Sequence, residues 1–176
     1  MSTLRIPVTS SDHSQGPADA PVTLVEYGDY QCPYCGEAYP VIKQLQKRFG
    51  NKLRFVFRNF PLVEAHPQAA AAAIVAEYAG SQGKFWEAHD ALYENQQQLG
   101  EAFYVELMKS LGLDVAGLQK AFDSGEFNER IQADIDGGLR SGVNGTPGLF
   151  INGQAFYPRQ GFDELAEPIA EILGER

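Results

Sequence analysis

The spacing of apolar positions predicts a strand, a helix and a second strand near the start of the chain. The run PVTLVEYGD is short and rich in β-branched and aromatic residues between Val22 and Tyr27, which predicts a buried strand. Apolar residues then recur at helical spacing from Ala38 to Phe49, and Gly50 marks the end of that helix. KLRFVFRNF predicts another buried strand. A connection of this length favours a parallel pair of strands with a right-handed crossover.

A long helical stretch follows the second strand. Between about Glu64 and Leu139, helix-forming segments are separated by Gly, Asp or Ser. The segments are HPQAAAAAIVAEYAG, GKFWEAHDALYENQ, EAFYVELMKSLG, DVAGLQKAFDSG and EFNERIQADIDGGLRSG. The pattern predicts a subdomain of about five short helices with no strand between them.

The last part of the chain returns to β character. Asn152 and Gly153 lie between LFI and QAF, which predicts a hairpin with a type I′ turn, since both central residues of that turn need positive φ. A final helix is predicted from Phe162 to Leu173, and Pro168 either kinks it or marks its true start.

The order of these elements predicts an α/β fold with an all-helical insertion. Residues 1–20 are polar, and we expect a mobile or lightly docked N-terminal arm there. We expect residues 21–63 and 140–176 to form the α/β domain, and residues 64–139 to form the inserted helical subdomain. A chain of 176 residues fits this plan and is long enough to bury a core.

Composition excludes some partners and leaves the compartment open. The formal net charge of −9 argues against a nucleic acid as partner. The longest apolar run, Ala69 to Ala76, is far shorter than the ~20 residues of a spanning helix, so no membrane insertion is expected. The N-terminal region has no apolar stretch typical of an export signal. The localisation is therefore unknown: cytoplasmic if the chain is complete, periplasmic or otherwise extracytoplasmic if a signal was removed.

The two cysteines of the chain, Cys32 and Cys35, lie directly after the first predicted strand, in GDYQCPYCGEAYP. Pro33 is typical of the first position of a helix, which places Cys32 at the N-cap and Cys35 in the first turn. Free N–H groups and the helix dipole favour a thiolate at that end, and the thiolate is the nucleophilic form of cysteine. Cys35 would be close enough to close a disulfide and release a bound substrate.

Two alternatives compete with a redox pair. A structural zinc site needs four ligands, but the chain has no second cysteine pair, and His13, His66 and His89 show no paired spacing. No metal or other cofactor is therefore expected. The second alternative is a pair of inert core thiols. The position between a strand and a helix favours the redox interpretation.

Several motifs resemble those of the DsbA-like thiol-disulfide oxidoreductases, a family of the thioredoxin-fold superfamily. EYGDYQCPYC resembles their active-site segment, and GKFWEAHDALYENQ is similar to a helix of their insertion. GTPGLFING resembles the loop that carries their cis-proline, here Pro147 after Thr146. The resemblance covers about residues 20–174 and implies a thioredoxin-like fold with an inserted all-helical subdomain.

The resemblance also implies a reaction and its residues. Cys32 would form a mixed disulfide with a protein or peptide, Cys35 would resolve it, and a separate redox partner would recycle the pair. Glu26, six residues before Cys32, would be a buried acid that takes the proton of Cys35. The alternative for Glu26 is a solvated position. The residues expected to contact substrate are Pro33, Tyr34, Thr146 and Pro147.

The sequence therefore predicts an enzyme, a protein-disulfide oxidoreductase, and leaves two other functions open. The Pro33-Tyr34 dipeptide is typical of glutaredoxins, so a glutathione-linked disulfide reductase is one alternative. A peptide-binding or chaperone-like module with a dispensable thiol pair is the other. Arg58 ends the second strand, and we expect an ordinary exposed arginine rather than a cation near the thiols.

Overall fold

The computed structural model describes residues 2–175 and has a five-stranded mixed sheet at its centre. The strands are β1 (His13–Gln15), β2 (Val22–Gly28), β3 (Leu53–Asn59), β4 (Gly148–Ile151) and β5 (Gln154–Phe156). Their order in the sheet is β1-β3-β2-β4-β5. β2 and β3 are parallel, whereas the other neighbours are antiparallel, so the predicted parallel pair is confirmed.

Within residues 2–175, seven α-helices surround the sheet, and five of them follow one another between β3 and β4. The helices are α1 (Pro33–Phe49), α2 (Ala69–Ser81), α3 (Phe85–Glu94), α4 (Glu101–Ser110), α5 (Val115–Ser124), α6 (Asn128–Arg140) and α7 (Ala166–Ile172). We refer to α2–α6 as the helical block. These five consecutive helices confirm the predicted run of about five short helices. Among residues 2–175, no helix is both long and apolar enough to cross a membrane.

The two predictions for the C-terminal part are also confirmed. Asn152 and Gly153 have φ values of 46° and 84°, and they connect β4 to β5 in a tight hairpin. A 3₁₀ turn over Phe162–Leu165 precedes α7, so Pro168 lies in the first turn of that helix and marks its start.

The two faces of the sheet bury different clusters. Neighbouring residues of a strand point to opposite faces, so Leu24 of β2 joins the large core cluster that includes α1 and the helical block. Val25 joins a smaller cluster on the other face. Leu4 and Val8, from the N-terminal segment, pack against that smaller cluster.

The N-terminal segment is docked across the sheet, contrary to the expected mobile or lightly docked arm. Thr3 bridges to Gln154 of β5, whereas β1 pairs with β3 at the opposite edge. Residues 2–15 therefore run from one edge to the other, and we call them the N-terminal strap. The strand β1 was missed because HSQ has no apolar pattern. It forms because the free edge of β3 needs backbone partners.

Arg58 of β3 anchors this strap, so the expectation of an exposed arginine is wrong. Its side chain is only 3% exposed. Nε and Nη2 donate to the two carboxylate oxygens of Asp12 at 2.8 and 3.0 Å. Its nitrogens also donate to the carbonyls of Ile6 and Pro7 and to the Tyr27 hydroxyl. The guanidinium is satisfied by the strap and by Tyr27, and not by the cysteine pair.

Candidate active site

The cysteine pair lies where the carboxyl end of β2 meets the start of α1. Cys32 is the N-cap residue, with φ −70° and ψ 124°, and Pro33 is the first residue of the helix. The Cys32 N–H donates to the Asp29 carbonyl at 3.1 Å, and the Gly36 N–H donates to the Cys32 carbonyl at 3.0 Å. Cys35 lies in the first turn of α1, so the predicted placement of both cysteines is confirmed.

Cys32 has the electrostatic character of a nucleophile. Both cysteines are free thiols, and the Cys32 side chain is 4% exposed. A hydrogen bond from the Cys35 thiol is the largest cause that lowers the pKa of Cys32, from 9.0 to about 5, against the opposing effect of burial. The Thr146 hydroxyl and the N–H groups of Cys35 and Tyr34 lower this pKa further. At neutral pH, Cys32 is therefore a thiolate.

Cys35 has the opposite character. Its side chain is fully buried. Burial raises the pKa of Cys35 well above 9.0, and its hydrogen bond to Cys32 and the negative charge of Glu26 raise this pKa further. Cys32 is thus a thiolate that can take part in disulfide exchange. Cys35 is a thiol that keeps its proton until a base removes it.

Glu26 is buried in the middle of the sheet, so the solvated alternative is wrong. It lies on β2 between Phe57 of β3 and Leu149 of β4. The side chain is 2% exposed, and Oε2 has no hydrogen-bond partner among the described residues. Burial, and then the charge of Cys32, raise the pKa of Glu26 from 4.5 to about 8. A carboxyl with this pKa can both give and accept a proton near neutral pH.

The sheet brings the Thr146–Pro147 loop to Cys32. Gly148, the first residue of β4, pairs with Tyr27 near the end of β2, so the loop before it lies beside the start of α1. When it is protonated, Cys32 donates from Sγ to the Thr146 carbonyl oxygen, 3.6 Å away. The Thr146–Pro147 peptide bond is cis, as the resemblance implies. Among the described residues, the buried Thr146 hydroxyl has no hydrogen-bond partner with standard geometry.

The surface around Cys32 is open on two sides. Pro33 and Tyr34 are exposed, and Tyr34 is 63% exposed. On the other side, an open groove of about 200 Å³ is lined by residues 142–150 and 155–158, including Thr146 and Pro147. The four residues expected to contact substrate therefore flank Cys32, and their binding role stays a prediction.

The helical block supplies contacts to the site that the sequence did not indicate. His89 is buried, and its Nδ1 lies 2.9 Å from the Tyr30 hydroxyl. Gln96 donates from Nε2 to the carbonyls of Tyr30 and Cys32 at 2.8 and 3.0 Å. No local signal in NQQQL distinguishes Gln96 from its neighbours, because its partners lie more than 60 residues earlier in the chain.

Comparisons with known proteins agree with this architecture. A family model described as thioredoxin matches residues 9–171. The Na(+)/H(+) antiporter NhaA 1 of Salinispora arenicola is 41% identical over 171 residues, which are 97% of this chain and 26% of the antiporter. The chain spans about a quarter of the length of the curated relatives it matches.

Two solved structures extend the comparison to the fold. Oxidised BdbD from Bacillus subtilis has a TM-score of 0.84 and 25% identity, and the match covers 98% of both chains. α-DsbA1 from Wolbachia pipientis has a TM-score of 0.82 and 17% identity, with 97% of this chain and 94% of that chain covered. The expected thioredoxin-like fold with an inserted all-helical segment is confirmed.

Proposed function

Since the chain belongs to the thioredoxin family, in its DsbA-like form, we propose that it is an enzyme, a protein-disulfide oxidoreductase. The observation that carries the proposal is the opposite character of the two thiols. The pKa of Cys32 is lowered to about 5, and that of Cys35 is raised well above 9.0. An exchange enzyme needs one sulfur that leaves and attacks as a thiolate, and a second sulfur that reacts only within the protein.

The proposed reaction starts from the Cys32–Cys35 disulfide. A substrate thiolate attacks the Cys32 sulfur, the Cys32–Cys35 bond breaks, and Cys35 leaves with the electron pair. A second substrate thiolate attacks the substrate sulfur of the mixed disulfide, and Cys32 leaves as a thiolate. The substrate gains a disulfide and the enzyme gains two electrons, which a separate redox partner removes. Because the cysteine pair holds both electrons, the reaction needs no bound cofactor.

Glu26 serves as the proton carrier of Cys35 in this proposal. When Cys35 leaves as a thiolate in its buried position, a protonated Glu26 supplies a proton. In the reverse direction, the Glu26 carboxylate takes that proton before Cys35 attacks. The pKa of about 8 supports both roles, because neither form of the carboxyl is then rare near neutral pH.

Substrates are proposed to be proteins or peptides that lie across the exposed surface at Cys32. Pro33 and Tyr34 would contact one side of the substrate segment, and Thr146 and Pro147 would contact the other. The open groove beside Thr146 supports an extended segment rather than a small enclosed molecule.

We propose that the pair works in the oxidising direction. A stabilised Cys32 thiolate stabilises the reduced enzyme, and this makes its disulfide a stronger oxidant. The glutathione-linked reductase predicts instead a low reduction potential together with turnover in the presence of glutathione. Equilibration of the pair in glutathione buffers separates the two, because a potential near that of thioredoxin would favour the reductase.

The mechanism is tested by trapping the mixed disulfide. We expect Cys35→Ser, oxidised in the presence of a thiol peptide, to accumulate a covalent adduct on Cys32, because the resolving thiol is gone. Cys32→Ser should form almost none, since Cys35 is buried and protonated. Mass spectrometry under non-reducing conditions reads both. Equal adducts on the two variants would contradict the assigned order of attack.

The same variants test the chaperone-like alternative. If Cys32→Ala and the double variant lacking both thiols still suppress aggregation of an unfolding protein as the wild type does, while wild type shows no disulfide transfer, the thiol pair is dispensable. Loss of disulfide transfer with Cys32→Ala supports the enzyme.

A further inference from the structure

Gln96 links the helical block to the backbone of the active site. It is the first residue of a one-turn 3₁₀ helix, Gln96–Gln98, which is separated from α3 by Asn95 alone. Its single Nε2 group donates to two carbonyls, that of Tyr30 at 2.8 Å and that of Cys32 at 3.0 Å. These carbonyls belong to the loop that delivers Cys32 to the start of α1.

The orientation of this amide follows from its partners. Carbonyl oxygens only accept hydrogen bonds, so the nitrogen of Gln96, and not its oxygen, must face Tyr30 and Cys32. The side chain then occupies the space beside Gly36 in the first turns of α1. A Cβ at Gly36 would lie 2.8 Å from Cδ of Gln96 and still closer to its oxygen. Glycine is unfavourable in the interior of a helix, but at Gly36 the absence of a side chain makes room for the Gln96 amide.

We propose that Gln96 is a positioning residue through which the helical block sets the reactivity of Cys32. The inference deepens the proposed function and rests on it in one respect, that Cys32 is the reacting thiol. Among the described residues, the Gln96 side chain makes no hydrogen bond to the Cys32 sulfur; it holds the peptide group on the carboxyl side of Cys32.

The effect on the sulfur follows from the geometry of the N-cap. The Cys32 carbonyl already accepts the N–H of Gly36, and Gln96 adds a second donor to the same oxygen. The two donors fix the Cys32 backbone, so the N–H groups of Tyr34 and Cys35 keep their aim at the sulfur. The added N–H also offsets the partial negative charge of two carbonyls close to the thiolate.

A second contact ties the same loop to the helical block. The Gln31 side chain accepts a hydrogen bond from the backbone N–H of Gln68, at the start of α2, at 2.7 Å. The residues before and at Cys32 are therefore held from α2 and from the turn after α3. A movement within the helical block reaches the Cys32 backbone directly through these bonds.

The test compares Gln96→Ala and Gln96→Glu with Gln97→Ala. Gln97 lies in the same turn, is exposed and makes no side-chain hydrogen bond among the described residues, so it is the matched control. Thiolate absorbance against pH gives the Cys32 pKa of each reduced protein. We expect Gln96→Ala to raise this pKa by roughly half a unit, and Gln96→Glu to raise it by about one unit or more, because a carboxylate replaces the donor.

The redox equilibrium gives an independent readout. A rise of roughly half a unit in the Cys32 pKa should shift the equilibrium with glutathione about threefold toward the disulfide form of the protein at pH 7. Gln97→Ala should leave both quantities at the wild-type value. A fold defect alone would lower the unfolding midpoint. It would not raise the Cys32 pKa more in Gln96→Glu than in Gln96→Ala.

Gly36→Ala tests the same contact from the other side. The new methyl group displaces the Gln96 amide without altering Gln96, so the Cys32 pKa should rise as in Gln96→Ala. Combining the two substitutions should add little more, since both remove one contact. Wild-type pKa values in all Gln96 and Gly36 variants would overturn the inference. An ordinary Cys32 pKa in the wild type itself would instead overturn the proposed function.

Discussion

At the scale of single residues, the two titrating groups of the site respond to pH in opposite senses. Glu26 has a pKa of about 8 in the folded chain, against 4.5 ordinarily, so folding is favoured most when it is protonated. Its contribution is complete below about pH 4.5 and is lost as the pH rises through 8. Cys32 has a lowered pKa, so its contribution to the reduced protein is complete above 9.0 and is lost as the pH falls toward 5.

Glu26→Gln should therefore stabilise the protein in alkaline solution. The amide cannot ionise, so the variant avoids the cost of a buried carboxylate, on the order of 4 kcal/mol at pH 8 and near zero at pH 4.5. Urea unfolding of the reduced proteins at several pH values measures this difference. Glu37→Gln, at an exposed position of α1, is the control. A constant difference between wild type and Glu26→Gln across pH would contradict the raised pKa.

The same substitution should slow the attack of Cys35. Without a carboxylate to take its proton, Cys35 is deprotonated only by the solvent, so resolution of a mixed disulfide should slow by roughly 10²-fold. Rapid-quench measurement of the release of a peptide from the mixed disulfide reads this step. An unchanged rate would mean that Glu26 has no part in moving the proton.

A residue-scale prediction from the sequence succeeded where the signal was local. Cys32 and Pro33 are adjacent, and their positions at the start of a helix follow from propensity alone. Arg58 and Gln96 were not predicted in their observed roles, because each depends on partners far along the chain. The burial of Arg58 requires the strap, and nothing in its strand shows that Asp12 will reach it.

At the scale of elements, the β4–β5 hairpin shows how one residue serves two purposes. Asn152 adopts a positive φ, and its Oδ1 accepts the Thr23 N–H of β2 at 2.8 Å. Its Nδ2 donates to the Pro21 carbonyl at 3.2 Å. The turn that connects β4 to β5 thereby also holds the start of β2 by hydrogen bonds. The turn itself was predictable from Asn-Gly, but the attachment to β2 was not.

Substitutions at Asn152 can separate these purposes. We expect Asn152→Ala to cost about 2 kcal/mol, from the lost hydrogen bonds and the unfavourable φ. Asn152→Gly should cost about 1 kcal/mol, because glycine keeps the φ and loses only the bonds. Urea unfolding midpoints measure both, with Gln154→Ala on the exposed side of β5 as the control. Equal costs for the two substitutions would assign the whole effect to the side-chain bonds.

At the scale of the whole molecule, the N-terminal strap completes the sheet. It adds β1 at one edge, bridges to β5 at the other and covers the face between them. The fold class and the helical block were predictable because each depends on periodicity within a segment. The strap was not, since its residues are polar and its order comes from the surface that it covers.

Asp12→Ala should weaken the strap through its anchor. The substitution leaves the buried Arg58 without its carboxylate, which we expect to cost about 2 kcal/mol, a value reduced from that of a fully buried pair because Asp12 is partly exposed. The measurement is urea unfolding of Asp12→Ala, Arg58→Met and the double variant, with Asp19→Ala as an exposed control. If the two single costs simply add, Asp12 and Arg58 are not coupled.

The strap also has a consequence for encounters between molecules. An open sheet edge is a template for a strand of another chain, and here the backbone of residues 2–4 and 13–15 occupies both edges. When the strap detaches, the two sheet edges at β3 and β5 become open, and the strap that had paired with them becomes free. Two molecules in that state can each receive the strap of the other, so reciprocal exchange of this segment is the dimer that the fold makes accessible at high concentration.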